Sequence, residues 1–256
     1  MMNFWQAFFL GALQGVTEFL PVSSSGHLAL AQNWLGLQEP LLSFDIFLHG
    51  ISLIAIIIFF FKEIKKLNFQ KLVFMGVGTI PAVFVGLFLK DTLESIFYLP
   101  IFIGIALIIT GINNLISNNF LQNKDRKTTP LTIKKSFIIG IFQSFALIPG
   151  LSRSGTTLLG SLGQKLDKQQ AFTFTFLLAI PAILGALLLQ SIDLIQGGLS
   201  MPHWTLFVAG GTSTLITSLA SLNLFKKLIE KSQFRFFGIY ALIIGGGVVI
   251  SQLLFT

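Results

Sequence analysis

Cysteine is absent from the 256 residues, so no disulfide, thiolate metal site or cysteine nucleophile can contribute. Charge is scarce as well. Charged residues make up 11% of the chain, against about 25% in an ordinary soluble domain. A water-soluble fold of this length could not be coated with so few, which excludes a soluble enzyme along with disordered and fibrous classes. Acidic residues number only 10 against 17 Lys and Arg, for a net charge of +7. What the chain has in excess is apolar: 53% hydrophobic residues, 28 of them Phe. The apolar runs are helix-length, not the alternating ten-residue segments of an outer-membrane barrel. The composition therefore predicts an all-α polytopic membrane protein.

Six runs are long enough to cross a hydrocarbon core of about 30 Å: 44–61, 72–89, 100–117, 172–190, 204–225 and 236–255. The first 15 residues lack the basic region and small-residue cleavage pattern of a signal peptide. Two further apolar regions, 4–35 and 136–163, are broken by PVSSSGH at 21–27 and PGLSRSGTT at 149–157. Each reads as a first helix of about 12–16 residues, a polar loop, and a short second helix, restarting near Leu28 in the first case. Such pieces are too short to span singly, and irregular backbone survives within a membrane only where protein or water satisfies it. Both are expected to be re-entrant helix–loop–helix hairpins.

The two breaks match each other at a constant offset of 129, close to half the chain. Gly11 pairs with Gly140, Gln14 with Gln143, Ser23 with Ser152, Ser25 with Ser154 and Gly26 with Gly155. Ile80-Pro81-Ala82 and Ile180-Pro181-Ala182 form a second echo, and both prolines are expected to be kinks beside the hairpins. The chain is thus a single membrane domain, 1–256, made of two repeats, about 1–120 and 130–256. Each carries one hairpin and three crossings. Three is odd, so the second repeat starts from the opposite side, giving an inverted-topology repeat whose broken helices meet near the midplane. Basic residues agree with this count. Fifteen of the 17 Lys and Arg fall on one face, in the groups 62–71, 124–135, 165–168 and 226–235; Lys90 falls on the other, and Arg153 lies within a hairpin. By the positive-inside rule the basic face is cytoplasmic, with both termini and the base of the first hairpin outside. The positive charge then reports orientation, and no nucleic-acid partner is expected.

Few ionisable residues remain inside the membrane, and such residues are functional candidates because of what they cost there. Glu18, His27 and Arg153 stand out. A structural Glu18–Arg153 ion pair is the plain alternative, but it leaves the surrounding hydroxyls and glycines unexplained. Gln14 and Glu18 share a helix face. Ser23, Ser24, Ser25 and Gly26 follow, while the second break offers Ser152, Ser154, Gly155, Thr156 and Thr157 with Arg153. Hydroxyls and free N–H groups at two helix N-termini, with one guanidinium fork, suit an anion with several oxygens. Glu18, Ser24 and His27 offer a base, a nucleophile and an acid or second nucleophile. Gln14 and Glu18 are also the candidates to hold a divalent cation. Asp45 and His49 read as structural or peripheral, and the glycines 238 and 245–247 as close-packing sites in the last span.

QGVTEFLPVSSSGH at 14–27 and PGLSRSGTT at 149–157 resemble the two signatures of the bacterial undecaprenyl pyrophosphate phosphatases, also called bacitracin resistance proteins. The resemblance implies hydrolysis of undecaprenyl diphosphate to the monophosphate and phosphate. It also implies a role in recycling the lipid carrier for peptidoglycan, bacitracin resistance, dependence on a divalent cation (Mg or Ca), and a site open to the outer face of the inner membrane. It assigns Glu18 as a motif carboxylate, Ser24 as the proposed nucleophile, His27 as an attacking or proton-donating group, and Arg153 as the phosphate clamp, with Thr157 in the same loop. Gln14 stands where many members carry Glu, which departs from a two-carboxylate metal site. Attack by His27 instead of Ser24 is left open, as is a carrier or flippase of polyprenyl phosphate. Expected partners are the polyprenyl diphosphate, membrane lipid, and a second copy of the chain in a homodimer.

Overall fold

The computed structural model describes residues 2–37, 41–89, 92–93, 96, 99–123, 125–196 and 203–255. Lys90 and Lys124, two of the residues used to judge sidedness, lie outside the described residues. Every regular element among the described residues is helical. In chain order these are α1 (Phe4–Phe19), α2 (Ser24–Trp34), α3 (Leu42–Phe59), α4 (Phe61–Lys65), α5 (Phe69–Phe88), α6 (Pro100–Gln122), α7 (Ile133–Phe145), α8 (Arg153–Gly163), α9 (Lys168–Gln196), α10 (Trp204–Glu230) and α11 (Arg235–Phe255). Six of them, α3, α5, α6, α9, α10 and α11, are long and apolar enough to cross a bilayer. Their outward faces carry large bare side chains, such as Ile80, Val83, Phe84, Leu87 and Phe88 along α5. The chain is a multi-pass membrane protein, and these faces are its lipid-facing coat.

Helix ends outrun the apolar runs where the sequence turns polar. α6 continues through Ser117, Asn118 and Asn119 to Gln122, and α10 continues through Lys226 and Lys227 to Glu230. Hydropathy marks where lipid stops, whereas a helix stops where its backbone loses partners. The same reason moves the start of α2. It begins at Ser24, four residues before the expected Leu28, because the Ser23 side chain accepts from the Gly26 N–H and caps it. The serines are the first turn of a helix and not a loop. Pro81 and Pro181 both lie within helices, α5 and α9, that continue past them.

α1 folds back on α2, and α7 on α8. With 16 and 13 residues, α1 and α7 are about 24 and 20 Å long, short of a full hydrocarbon crossing. Their packing is reciprocal: α1 lies against α10, the second span of the later half, and α7 against α5, the second span of the earlier half. The final spans of the two halves, α6 and α11, pack on each other. Small residues make these crossings tight. A β-carbon on Gly11 would stand 2.2 Å from the Gly210 carbonyl oxygen, and one on Gly140 the same distance from that of Gly78. Hydroxyls stitch the same contacts, with Thr214 Oγ1 donating to the Gly11 carbonyl at 2.9 Å and Ser221 Oγ to that of Gly15 at 2.7 Å. Gly245 and Gly238 of α11 meet Gly104 and Gly111 of α6, while Gly246 and Gly247 face open space.

The basic connections meet at one end of the bundle. The Thr129 N–H donates to the Lys165 carbonyl, Lys168 Nζ to Ser232 Oγ at 2.7 Å, and Ser232 Oγ to the Leu121 carbonyl. A cavity there is lined by Lys66, Lys71, Pro130 and Asp167. Next to this end sits the main core, an aromatic stack in which Phe176 contacts Phe19, Phe60, Phe172 and Phe225 with ring centroids 5.1–5.8 Å apart. Phe19 anchors the end of α1 beside Glu18.

α6 holds both polar loops. Asn114 Nδ2 donates to the Pro21 carbonyl at 2.6 Å, and Thr110 Oγ1 donates to the Gly150 carbonyl while accepting from the Ser152 N–H. The loops also touch directly, since a β-carbon on Gly155 would lie 3.1 Å from Pro21 and one on Gly26 3.5 Å from the Gly150 Cα. Two outcomes are expected in detergent thermal unfolding. Gly11→Ala and Gly140→Ala each destabilise by about 1–3 kcal/mol through overpacking against backbone, while Gly246→Ala and Gly247→Ala leave the midpoint unchanged. Asn114→Leu costs about 1–3 kcal/mol because it strands a buried carbonyl; an unchanged midpoint would show that α6 does not hold the first loop.

Candidate active site

The two short second limbs, α2 and α8, present their N-termini to one place. Ser23 caps α2, and Ser152 caps α8 by accepting from the Gly155 N–H at 3.2 Å. The turns differ in strain. Ser152 has an ordinary φ of −77°, but Ser23 has φ +73°, a conformation that a side chain disfavours. In the second loop the positive φ falls on Gly150, at +93°. The strained residue therefore sits immediately before Ser24, as strain often does at working sites.

At the centre is the Glu18 carboxylate, buried at the end of α1. Its Oε2 accepts from Ser24 Oγ at 2.6 Å and from Gln14 Nε2 at 3.0 Å, and its Oε1 accepts from Arg153 Nη2 at 2.5 Å. Ser24 and Arg153 are the first residues of α2 and α8. One carboxylate thus joins α1 and both hairpin tips across 135 residues of sequence. The carboxylate and the guanidinium side chains are 5% and 17% exposed, so each removes the charge-burial penalty of the other. Arg153 Nη1 is buried without a hydrogen-bond partner, as are Gln14 Oε1 and Thr157 Oγ1. The guanidinium still has donors for another anion.

The remaining predicted residues surround this centre. Ser23 and Ser25 hydroxyls lie 3.4 Å apart, and Ser25 Oγ accepts from the Gly150 N–H across the loops. Ser152 and Ser154 hydroxyls are 3.2 Å apart, and Thr156 Oγ1 is 3.5 Å from Asn113 Nδ2. Gly155 is where a side chain would press on Asn114 and Pro21, whereas a β-carbon on Gly26 would only touch Gly150 of the other loop.

His27 is turned to other partners. Its Nδ1 is 2.7 Å from the Ser23 carbonyl oxygen and its Nε2 2.8 Å from the Tyr240 hydroxyl, with the two rings nearly parallel. A carbonyl only accepts, so Nδ1 carries the hydrogen and a neutral ring accepts from Tyr240 through Nε2.

Three contributors escape sequence reasoning. Tyr240 lies 213 residues from His27, and Thr110 and Asn114 look like ordinary polar residues of a span. A fourth residue is moved from the expected periphery, since His49 places Nε2 3.7 Å from Glu18 Oε2. It reaches there because His49 and Asp45 share a face of α3, whose Phe44 and Leu48 are buried among Ala7 and Leu10 of α1. Only its helical spacing from Asp45 is visible in the sequence. Among the described residues no three His, Asp or Glu gather into a full metal shell. The side chains that could hold a cation there are Glu18, Gln14, whose Oε1 has no hydrogen-bond partner, and His49, whose Nε2 faces Glu18.

Residues 7–247 match the family described as bacitracin resistance protein BacA. Curated relatives match over almost the full length of both chains. Undecaprenyl-diphosphatase 4 of Bacillus cereus is 38% identical over 259 residues, covering 100% of this chain and 99% of the relative. Undecaprenyl-diphosphatase 1 of Shouchella clausii is 36% identical over 270 residues, covering 98% and 97%. Undecaprenyl-diphosphatase of Halothermothrix orenii is 31% identical over 255 residues, covering 97% and 98%. With its two hairpin tips joined at Glu18 and both signatures inside the matched region, this chain belongs to the bacitracin resistance protein BacA family.

Proposed function

We propose that the chain is an undecaprenyl-diphosphatase, hydrolysing undecaprenyl diphosphate to undecaprenyl phosphate and inorganic phosphate. One observation carries the reading. A nucleophile (Ser24), its base (Glu18) and an anion clamp (Arg153) come from three helices to meet at one carboxylate, at two facing helix N-termini. Nothing among the described residues favours a carrier over a hydrolase. The recycled lipid carrier serves peptidoglycan synthesis, and its turnover underlies resistance to bacitracin.

The chemistry runs in two displacements. Glu18 Oε2 takes the Ser24 hydrogen as Oγ bonds to the terminal phosphorus. The bridging P–O bond breaks, and its electron pair leaves on the lipid monophosphate. Arg153 and the loop N–H groups hold the equatorial oxygens, where charge builds in phosphoryl transfer. Water then attacks the phosphoserine, phosphate departs, and a proton returns to Ser24 Oγ. As the imidazolium, His27 would give the leaving oxygen a proton from Nε2 and take one back from the attacking water, with Tyr240 orienting the ring. Direct attack by His27 would first require it to release the Tyr240 hydroxyl, which weighs for Ser24. A divalent cation at Glu18 and Gln14 would neutralise part of the diphosphate charge.

Sidedness follows from the clustered basic connections. They form the cytoplasmic end of the bundle in the bacterial inner membrane, and the chain termini and the mouth of the site face outward. The two halves form an inverted repeat with re-entrant hairpins, and a homodimer is the expected assembly.

Two measurements test the reading. Purified protein releases phosphate from a polyprenyl diphosphate, and Ser24→Ala, Glu18→Gln and Arg153→Lys each lower kcat by about 10²–10⁴-fold. Arg153→Lys keeps the charge opposite Glu18 but loses the planar fork. Near-normal turnover in folded Arg153→Lys or Ser24→Ala protein would overturn the assignment. Tyr240→Phe lowers kcat about tenfold with KM unchanged, less than the ~10²–10⁴-fold of losing a general acid outright, since it removes a bond to His27 and none to the phosphate clamp. An altered KM with normal kcat would place Tyr240 in substrate binding instead.

A further inference from the structure

His49 is a partly exposed imidazole beside Glu18 to which the displacement chemistry gives no task. Its Nδ1 lies 2.9 Å from the Asp45 carbonyl oxygen, so Nδ1 carries the hydrogen. In the neutral ring Nε2 then presents a lone pair, and it faces Glu18 Oε2 at 3.7 Å. That separation is too long for an N–H···O hydrogen bond. Two electron-rich atoms held face to face repel unless a positive centre, a proton on Nε2 or a bound cation, lies between them, and the Ser24 and Gln14 donors on the same oxygen only partly offset that repulsion. Fixing one ring nitrogen on a backbone carbonyl while the other points at a carboxylate is the arrangement that metal-bound histidines adopt.

The surroundings agree. Arg153 occupies Oε1 of Glu18, so the carboxylate's other oxygen is the one turned to His49. The Asp45 carboxylate accepts from Gln32 Nε2 at 2.9 and 3.1 Å, and it makes no hydrogen bond to the His49 ring, whose Nδ1 is taken by the Asp45 carbonyl. Gln14, fully buried, keeps its amide oxygen without a hydrogen-bond partner, while its Nε2 donates to Glu18. A carboxylate oxygen and an imidazole nitrogen thus face each other between α1 and α3, beside the phosphate clamp, and the Gln14 side chain bonded to that carboxylate carries an unpartnered amide oxygen.

We propose that His49 Nε2 is a ligand of the divalent cation at Glu18, making this a mixed nitrogen–oxygen site. The inference rests on the reading that a cation binds at Glu18. Gln14 supplies no negative charge, and the imidazole nitrogen adds a donor that Mg²⁺ and Ca²⁺ use poorly. The site accordingly prefers a divalent transition metal such as Mn²⁺ over Mg²⁺ or Ca²⁺.

The test uses the full-length protein in detergent micelles, loaded with Mn²⁺ and read by pulsed electron paramagnetic resonance. The unmutated protein shows ¹⁴N modulation of the bound Mn²⁺ signal, and ¹⁵N-histidine labelling converts it to a ¹⁵N pattern. The chain has three histidines, and His27→Gln retains the modulation. His49→Gln loses it and weakens Mn²⁺ binding about 10–100-fold. Absence of histidine nitrogen coupling in unmutated, Mn²⁺-bound protein overturns the proposal, as does coupling that survives His49→Gln. Glu18→Gln separates the two layers: if it binds Mn²⁺ as tightly as the unmutated protein, the cation is not at Glu18 and the underlying reading fails.

Discussion

The pairing of Glu18 with Arg153 is the constraint on which the rest of the site depends. Neither charge is tolerable alone in a bundle surrounded by lipid, and each is held by a helix too short to cross the membrane. Bringing them together requires α1 to stop at Phe19 and α8 to start at Arg153, at the same depth. Loops at that depth need partners for their backbone. Thr110 and Asn114 supply them from one span, α6, which touches both loops. The ion pair thus organises the tips, and the tips place Ser24.

The crossings that support this are built from absence of side chain. Gly11 against Gly210 and Gly140 against Gly78 let each hairpin sink into the second span of the other half. The two halves of the chain are consequently interlocked, α1 resting on α10 and α7 on α5. The proposed function uses the same exchange: Glu18 and Ser24 come from the first broken region and Arg153 from the second. At the offset of 129 that aligns the two breaks, Arg153 stands opposite Ser24 and Leu147 opposite Glu18, so the two regions bring different groups to the site.

Much of this is legible in the order of residues. Composition and run length predict six spans, and the polar interruptions predict two breaks between short helices. The intramembrane charges mark Glu18 and Arg153, which meet, and His27 beside them. The signals are strong because lipid penalises every polar departure, so each departure carries meaning. The start of α2 is not legible in this way, because serine reads as loop when the capping geometry is unseen. Nor is the place of His49, because one helical neighbour, Asp45, gives it a sufficient local explanation.

What the sequence by itself determined was therefore the membrane class, the number of spans and the pairing of the two broken regions. These depend on local hydropathy and on internal similarity, both of which are properties of segments. Only the tertiary structure decided which polar atoms meet. Tyr240 reaches His27 from the last span, Arg153 shares one carboxylate with Ser24, and His49 turns its free nitrogen to that carboxylate. Those meetings follow from how helices cross, and crossing is set by small-residue contacts between segments far apart in the chain.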